Sequence, residues 1–129
     1  MFSKIGTVSI WVEDQDRAKD FYVNKLGMEL QDDQPLMPGE TRRWLSVRPQ
    51  GAETELILYK PGDDWPDYKH MVGKPQPITL LVANIQKVYE DLTAKGVQIT
   101  KPDVQPWGTF STLTDSEGNS LLVTELPKQ

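Results

Sequence analysis

Cysteine is absent from the 129 residues, and histidine occurs once, as His70. The first absence excludes disulfides, thiol nucleophiles, CxxC redox chemistry and thiolate metal sites. The second leaves any Ser-His-Asp triad dependent on a single imidazole set in a Pro- and Gly-bearing stretch. No apolar run approaches the roughly 18 residues that span a bilayer, and the opening Met1 to Gly6 lacks the basic and apolar regions of a signal peptide, so a cytoplasmic protein without membrane contact is expected. Basic clusters are also missing: 14 Lys and Arg stand against 19 Asp and Glu, a formal charge of −5. A negative field without a basic or basic-aromatic stripe repels phosphate backbones, which makes nucleic acid an unexpected partner. Neither a P-loop nor a GxGxxG phosphate cradle occurs. A chain of this length buries enough surface for one core without covalent staples.

What is present is regular. Val8, Ile10 and Val12 alternate with Thr7, Ser9 and Trp11, as a strand with two different faces requires. Asp14 stands at an N-cap position, Ala18, Phe21, Tyr22 and Leu26 form one helical stripe, and Gly27 suits a left-handed helix end. Met28 to Gln31 reads as a short strand, Asp32 to Glu40 as a polar loop, and Arg42 to Arg48 and Glu55 to Lys60 as strands joined around Pro49-Gln50-Gly51.

The order then recurs. Ile78 to Val82 reads as a strand, Asn84 as a cap, Ile85, Val88, Tyr89 and Leu92 as a helical stripe, and Gly96 as its end. Asn84 lies 70 residues after Asp14, and Gly96 lies 69 after Gly27. Such matched offsets argue for internal duplication. Val97 to Thr100, Thr109 to Thr114 and Ser120 to Leu126 complete the second set, the last two joined by Asp115-Ser116-Glu117-Gly118-Asn119. The expected fold is α+β: a single domain of two βαβββ repeats, about 5–60 and 77–126, with 61–76 as a mobile surface loop. One helix covers one face of each mixed sheet, so the paired sheets are expected to enclose a central cleft suited to a small molecule.

The helix Arg17-Ala18-Lys19-Asp20-Phe21-Tyr22, its Leu26-Gly27 end, Pro106-Trp107-Gly108 and the Asp115 to Asn119 hairpin together resemble the vicinal oxygen chelate superfamily of glyoxalases, bleomycin-resistance proteins and extradiol dioxygenases. The resemblance spans nearly the whole chain and bears on the fold more than on the reaction. It implies four metal-ligand positions, typically two histidines and two glutamates. Carried over, they fall on Thr7, Glu55, Pro77 and Leu122. Glu55 alone has the chemistry to hold a divalent ion strongly, so no metal and no cofactor are expected. Glu125 lies three positions beyond Leu122, on the opposite face of a regular strand.

From those positions, alternation places Ser9 and Trp11 beside Thr7, Ile57 and Tyr59 beside Glu55, and Ser120 and Thr124 beside Leu122. Thr7, Ser9, Trp11, Ile57, Tyr59, Trp107, Leu122 and Thr124 are the expected ligand contacts, each aromatic having ordinary packing as its alternative. Glu55 is the candidate catalytic group, a proton shuttle if burial raises its pKa, or else a rim carboxylate or a relic of the family's metal site. His70 reads as an exposed loop residue or a lid base. Of Arg42 and Arg43, one can face the cleft, with surface exposure the default for both. A metal-independent small-molecule-binding protein is the leading expectation. A lyase, isomerase or dioxygenase that takes a divalent metal, or a metal-free enzyme using Glu55, is the alternative. A homodimer is expected, since paired chains are common in the family that the motifs resemble and open sheet edges invite covering.

Overall fold

Period-two alternation makes strand β1 of Thr7–Trp11, and the Asp14 carboxylate then opens α1, Gln15–Asp20, by accepting a hydrogen bond from the Arg17 amide at 3.0 Å. The computed structural model describes residues 1–63 and 65–128, and the chain divides into two units, Met1–Gly73 and Lys74–Gln129.

In the first unit, α1 continues through a π-helical turn, Phe21–Lys25, in which the Leu26 amide donates to the Phe21 carbonyl, before Gly27 ends it at φ 74°. Three further strands follow: β2 (Glu29–Pro35), β3 (Arg43–Arg48) and β4 (Glu55–Tyr59). Their order in the sheet is β1-β4-β3-β2, with β1 and β4 parallel and the other neighbours antiparallel. Ile10, Val12, Leu45, Val47, Leu56 and Leu58 are buried on one face, with Ala18, Phe21 and Tyr22 buried on the helix that packs over β3 and β4. Two expectations change here. Asp32 to Pro35 belongs to β2, because a bulge between Leu30 and Asp32 restores pairing with β3, and Asp33 is anchored by Lys19 at 2.8 Å and Arg43 at 2.7 Å. Residues 61–76 include helix α2, Pro66–Lys69, and the start of the next strand.

The second unit repeats the plan. Strand β5 (Pro75–Leu81) leads to α3 (Ile85–Ala94), capped by the Asn84 side chain, which accepts from the Lys87 amide at 3.1 Å; Gly96, at φ 79°, follows. Then come β6 (Gln98–Ile99), β7 (Asp103–Gln105), β8 (Gly108–Thr114) and β9 (Ser120–Glu125). The sheet order is β5-β9-β8-β6, with β7 also on β8; β5 and β9 are the parallel pair, as β1 and β4 are in the first unit. Strand β7 was not expected: its residues are exposed, and the edge is interrupted just before it at Pro102, which has no amide to donate. Asp115 holds the β8–β9 turn, its Oδ1 accepting from the amides of Glu117 and Asn119 at 2.8 and 2.9 Å.

Candidate ligand-binding site

The parallel pairing of β1 with β4 sets Thr7 beside Glu55, Ser9 beside Ile57 and Trp11 beside Tyr59. All six share the face turned away from α1, because alternation sends the intervening Val8, Ile10, Leu56 and Leu58 the other way. Ile57 is buried, Glu55, Trp11 and Tyr59 are half-buried, and Thr7 and Ser9 are exposed.

The end of this face is aromatic. Trp11 and Tyr59 lie 5.6 Å apart between ring centroids, and Trp44 of β3 meets Tyr59 edge-on at 6.3 Å. Trp65 and Tyr68 come from the segment after β4: Trp65 is 5.7 Å from Tyr59, and Tyr68 stacks on Trp11 at 4.7 Å with 28° between the planes. With Ser9, the rings Trp11, Tyr59, Trp65 and Tyr68 line a depression of about 330 Å³. Offset rings at these spacings offer flat apolar surface with a favoured geometry for a further ring.

Sequence reasoning placed Trp11, Tyr59 and Ser9 together but missed Trp44, Trp65 and Tyr68. The spacing of Trp65 and Tyr68 was a usable signal, since residues three apart share one side of a helical turn, and Pro66 marks that turn's start. His70 is exposed immediately after α2.

The two arginines separate as alternation requires, but neither is a plain surface residue. Arg43 turns to the helix side, donating from Nε to Asp33 at 2.7 Å and from Nη2 to Asp16 at 2.8 Å. Burial alone would raise the Asp33 pKa, yet hydrogen bonds and charge from Lys19 and Arg43 hold it below its ordinary value. Arg42 turns toward the rings: its guanidinium carbon is 5.4 Å from the Trp65 ring centre, and Nε and Nη2 meet the Glu40 carboxylate. A larger recess of about 490 Å³ surrounds the start of α1, lined by Glu13, Asp14, Gln15, Asp16, Arg17, Thr41, Arg43 and Lys60. Every residue lining it is polar or charged and its Arg43 is already engaged, so the smaller aromatic depression is the better ligand surface.

The other expected contacts lie in the second unit. Trp107 is 52% exposed and stacks on Phe110 at 5.3 Å; Leu122 is half-buried, and Thr124 is 3% exposed.

The implied metal positions do not fit a divalent ion. Thr7 and Glu55 are neighbours that together supply one carboxylate and one hydroxyl, while the side chains of Pro77 and Leu122 have no donor atom. Among the described residues, no three His, Asp or Glu side chains converge on one point.

The family model for the Glyoxalase/Bleomycin resistance protein/Dioxygenase superfamily matches residues 4–123. The structure is similar to that of TnmS3, an antibiotic binding protein from Streptomyces sp. CB03234, with a TM-score of 0.84, 31% identity and 98% coverage of each chain. It is equally similar to a superfamily member from Sphaerobacter thermophilus DSM 20745, with a TM-score of 0.85 and 34% identity over 96% of this chain and 98% of that one. The uncharacterized protein YetH of Bacillus subtilis (strain 168) is 35% identical over 129 residues, covering 97% of this chain and all of the relative.

Proposed function

Because the chain belongs to the glyoxalase/bleomycin resistance protein/dioxygenase superfamily, we propose that it binds a flat aromatic small molecule on the ring surface of its first unit, without a catalytic metal. The observation that carries this reading is the gathering of Trp11, Trp44, Tyr59, Trp65 and Tyr68 at one end of one sheet face. Buried rings pack anywhere, but these are half-buried or exposed, and all but Trp44 line a depression at that end of the face. Thr7, Ser9 and Ile57 extend the same face, and Glu55 is its rim carboxylate, suited to a polar substituent. The likeness to an antibiotic-binding protein supports a binding role over a catalytic one. No helix among the described residues is long and apolar enough to cross a membrane, and the composition suits the cytoplasm.

The reading includes a homodimer, supported by β1 and β5 at open edges of their sheets. Sedimentation at micromolar concentration should give a particle of twice the chain mass; a clean monomer would remove this part of it.

Titration with 2-acetylnaphthalene, followed by tryptophan fluorescence and calorimetry, tests the site. Trp11→Ala should weaken binding by about 1 to 3 kcal/mol, the range for a ring stacked on an aromatic side chain, whereas Glu55→Gln, four strand residues from Tyr59, should leave it unchanged, because a ketone offers no hydrogen to a carboxylate. Protein purified without chelator should carry well under one equivalent of zinc, nickel, manganese or iron. Near-stoichiometric metal that is lost in Glu55→Ala would overturn the metal-free reading.

A further inference from the structure

The two halves of the aromatic surface are held very differently. Trp11 and Tyr59 sit in register on paired strands. Trp65 and Tyr68 belong to a segment whose helix, α2, has four residues and no side-chain cap. A helix this short has little stability of its own. The ion pair of Lys69 with Asp63 at 3.0 Å is internal to the segment, and both side chains are well exposed, so solvent screens the pair. Pro61-Gly62 precedes the segment, and Gly73, at φ 80°, follows it. Tyr68, 46% exposed, nevertheless occupies the stacked position on Trp11 that an incoming ring would need.

A second observation concerns Arg42. Two of its nitrogens meet Glu40, but Nη1 is buried and has no hydrogen-bond partner among the described residues. A buried donor without an acceptor is unfavourable, and more so on a charged group. Glu40 already balances the charge of Arg42. What is left is therefore a demand for an acceptor atom more than for an anion. The guanidinium lies against Trp65, so the segment that fills the place on Trp11 also covers this donor.

We propose that Trp65 and Tyr68 form a displaceable cover, and that the ligand is a fused-ring aromatic with a neutral acceptor oxygen at its edge. Its rings replace Tyr68 on Trp11, and its oxygen accepts the Nη1 hydrogen of Arg42. This rests on the aromatic-binding reading above and adds to it the polar group recognised and the way in. Contacts of 4.7 Å from Trp11 to Tyr68, 6.1 Å from Tyr68 to Trp65 and 5.4 Å from Trp65 to Arg42 connect the stacking place with the donor through two rings, and a fused-ring ligand replaces those rings with a pair of its own. Closing the cover on the empty surface lowers the competent fraction and so weakens the apparent affinity by that fraction.

Two naphthalenes of matched shape test this: 2-acetylnaphthalene carries C=O where 2-isopropenylnaphthalene carries C=CH₂. The wild-type chain should prefer the ketone by about 10-fold or more, the scale of a hydrogen bond to a charged donor. Arg42→Met should abolish that preference while retaining binding of the hydrocarbon. Tyr68→Ala should tighten both probes by about 2- to 10-fold, the scale of one aromatic pair. Trp65→Leu and Arg42→Lys, with thermal melts on every variant, guard against a folding artefact: the first should also tighten both probes, and the second should retain part of the ketone preference. Equal affinity for the two probes, with binding still lost in Trp11→Ala, overturns the acceptor proposal alone. Weaker binding in both Tyr68→Ala and Trp65→Leu makes those rings a wall of the site and overturns the cover. No binding of either probe overturns the aromatic-binding reading and this proposal together.

Discussion

The side-chain amide of Gln15 holds the peptide of Arg43 from both directions. Its Nε2 donates to the Arg43 carbonyl at 2.9 Å, and its Oε1 accepts from the Arg43 amide at 3.0 Å. The same Nε2 donates to the Leu58 carbonyl at 2.8 Å, so one buried residue at the start of α1 joins β3 and β4. Those strands carry Trp44 and Tyr59, whose rings meet edge-on at 6.3 Å.

Gln15→Leu fills the same space but leaves these backbone groups without their partner. A loss of about 2 to 4 kcal/mol in unfolding free energy is expected, because each orphaned buried group costs its desolvation. Urea titration measures it; a loss under about 0.5 kcal/mol would show that water replaces the amide.

The Asp33 carboxyl is held below its ordinary pKa, with burial opposing and Lys19 and Arg43 overcoming it. The folded state thus binds this proton less readily than the unfolded chain. The stabilisation is complete above the ordinary carboxylate range and is lost as pH falls through the lowered folded value. Asp33→Asn should cost about 1 kcal/mol at pH 7, reduced by partial exposure, and the gap from wild type should narrow as pH falls from 7 to below the ordinary carboxylate range. A gap of constant size across that range would show that another acid governs the acid sensitivity.

Gly108 has φ 145°, and a Cβ there would lie 2.9 Å from the Glu125 carbonyl oxygen and 3.4 Å from the Thr124 methyl. Gly108→Ala should therefore destabilise by about 1 to 3 kcal/mol, the scale of backbone strain at a special conformation. At Gly6 nothing lies within 4 Å and no positive φ opposes a side chain. Gly6→Ala should be neutral or should add up to about 1 kcal/mol through the unfolded chain. Thermal melts of the two variants under one buffer compare them, and equal shifts would refute the steric account.

Much of the architecture could be read directly from residues near one another in the chain. Asp14 and Asn84 cap their helices, and Gly27 and Gly96 follow them in the left-handed region, because capping is decided within a few residues. The shared face of Thr7, Ser9 and Trp11 follows from a period of two, and the matched offsets of the repeats anticipated two mixed sheets of like plan, though not which strands would run parallel. The bulge that extends β2 through Asp33 was hidden, since Asp32-Asp33-Gln34 has the composition of a loop and becomes a strand by virtue of Lys19 and Arg43. The exposed edge strand β7 was hidden for a related reason, having no apolar alternation to mark it.

The candidate site divides along the same line. Local sequence determined that Arg42 and Arg43 take opposite faces, that Trp11 and Ser9 share one, and that Thr7, Pro77 and Leu122 are poor metal ligands. Only the tertiary structure decided that Arg42 is the arginine beside the rings, that Trp11 pairs with Tyr59, and that Trp65 and Tyr68 fold back over them. Alternation states that neighbours diverge without saying toward what. The answer depends on strand register and on the path of a connecting segment, and both are set by contacts between residues far apart in the chain.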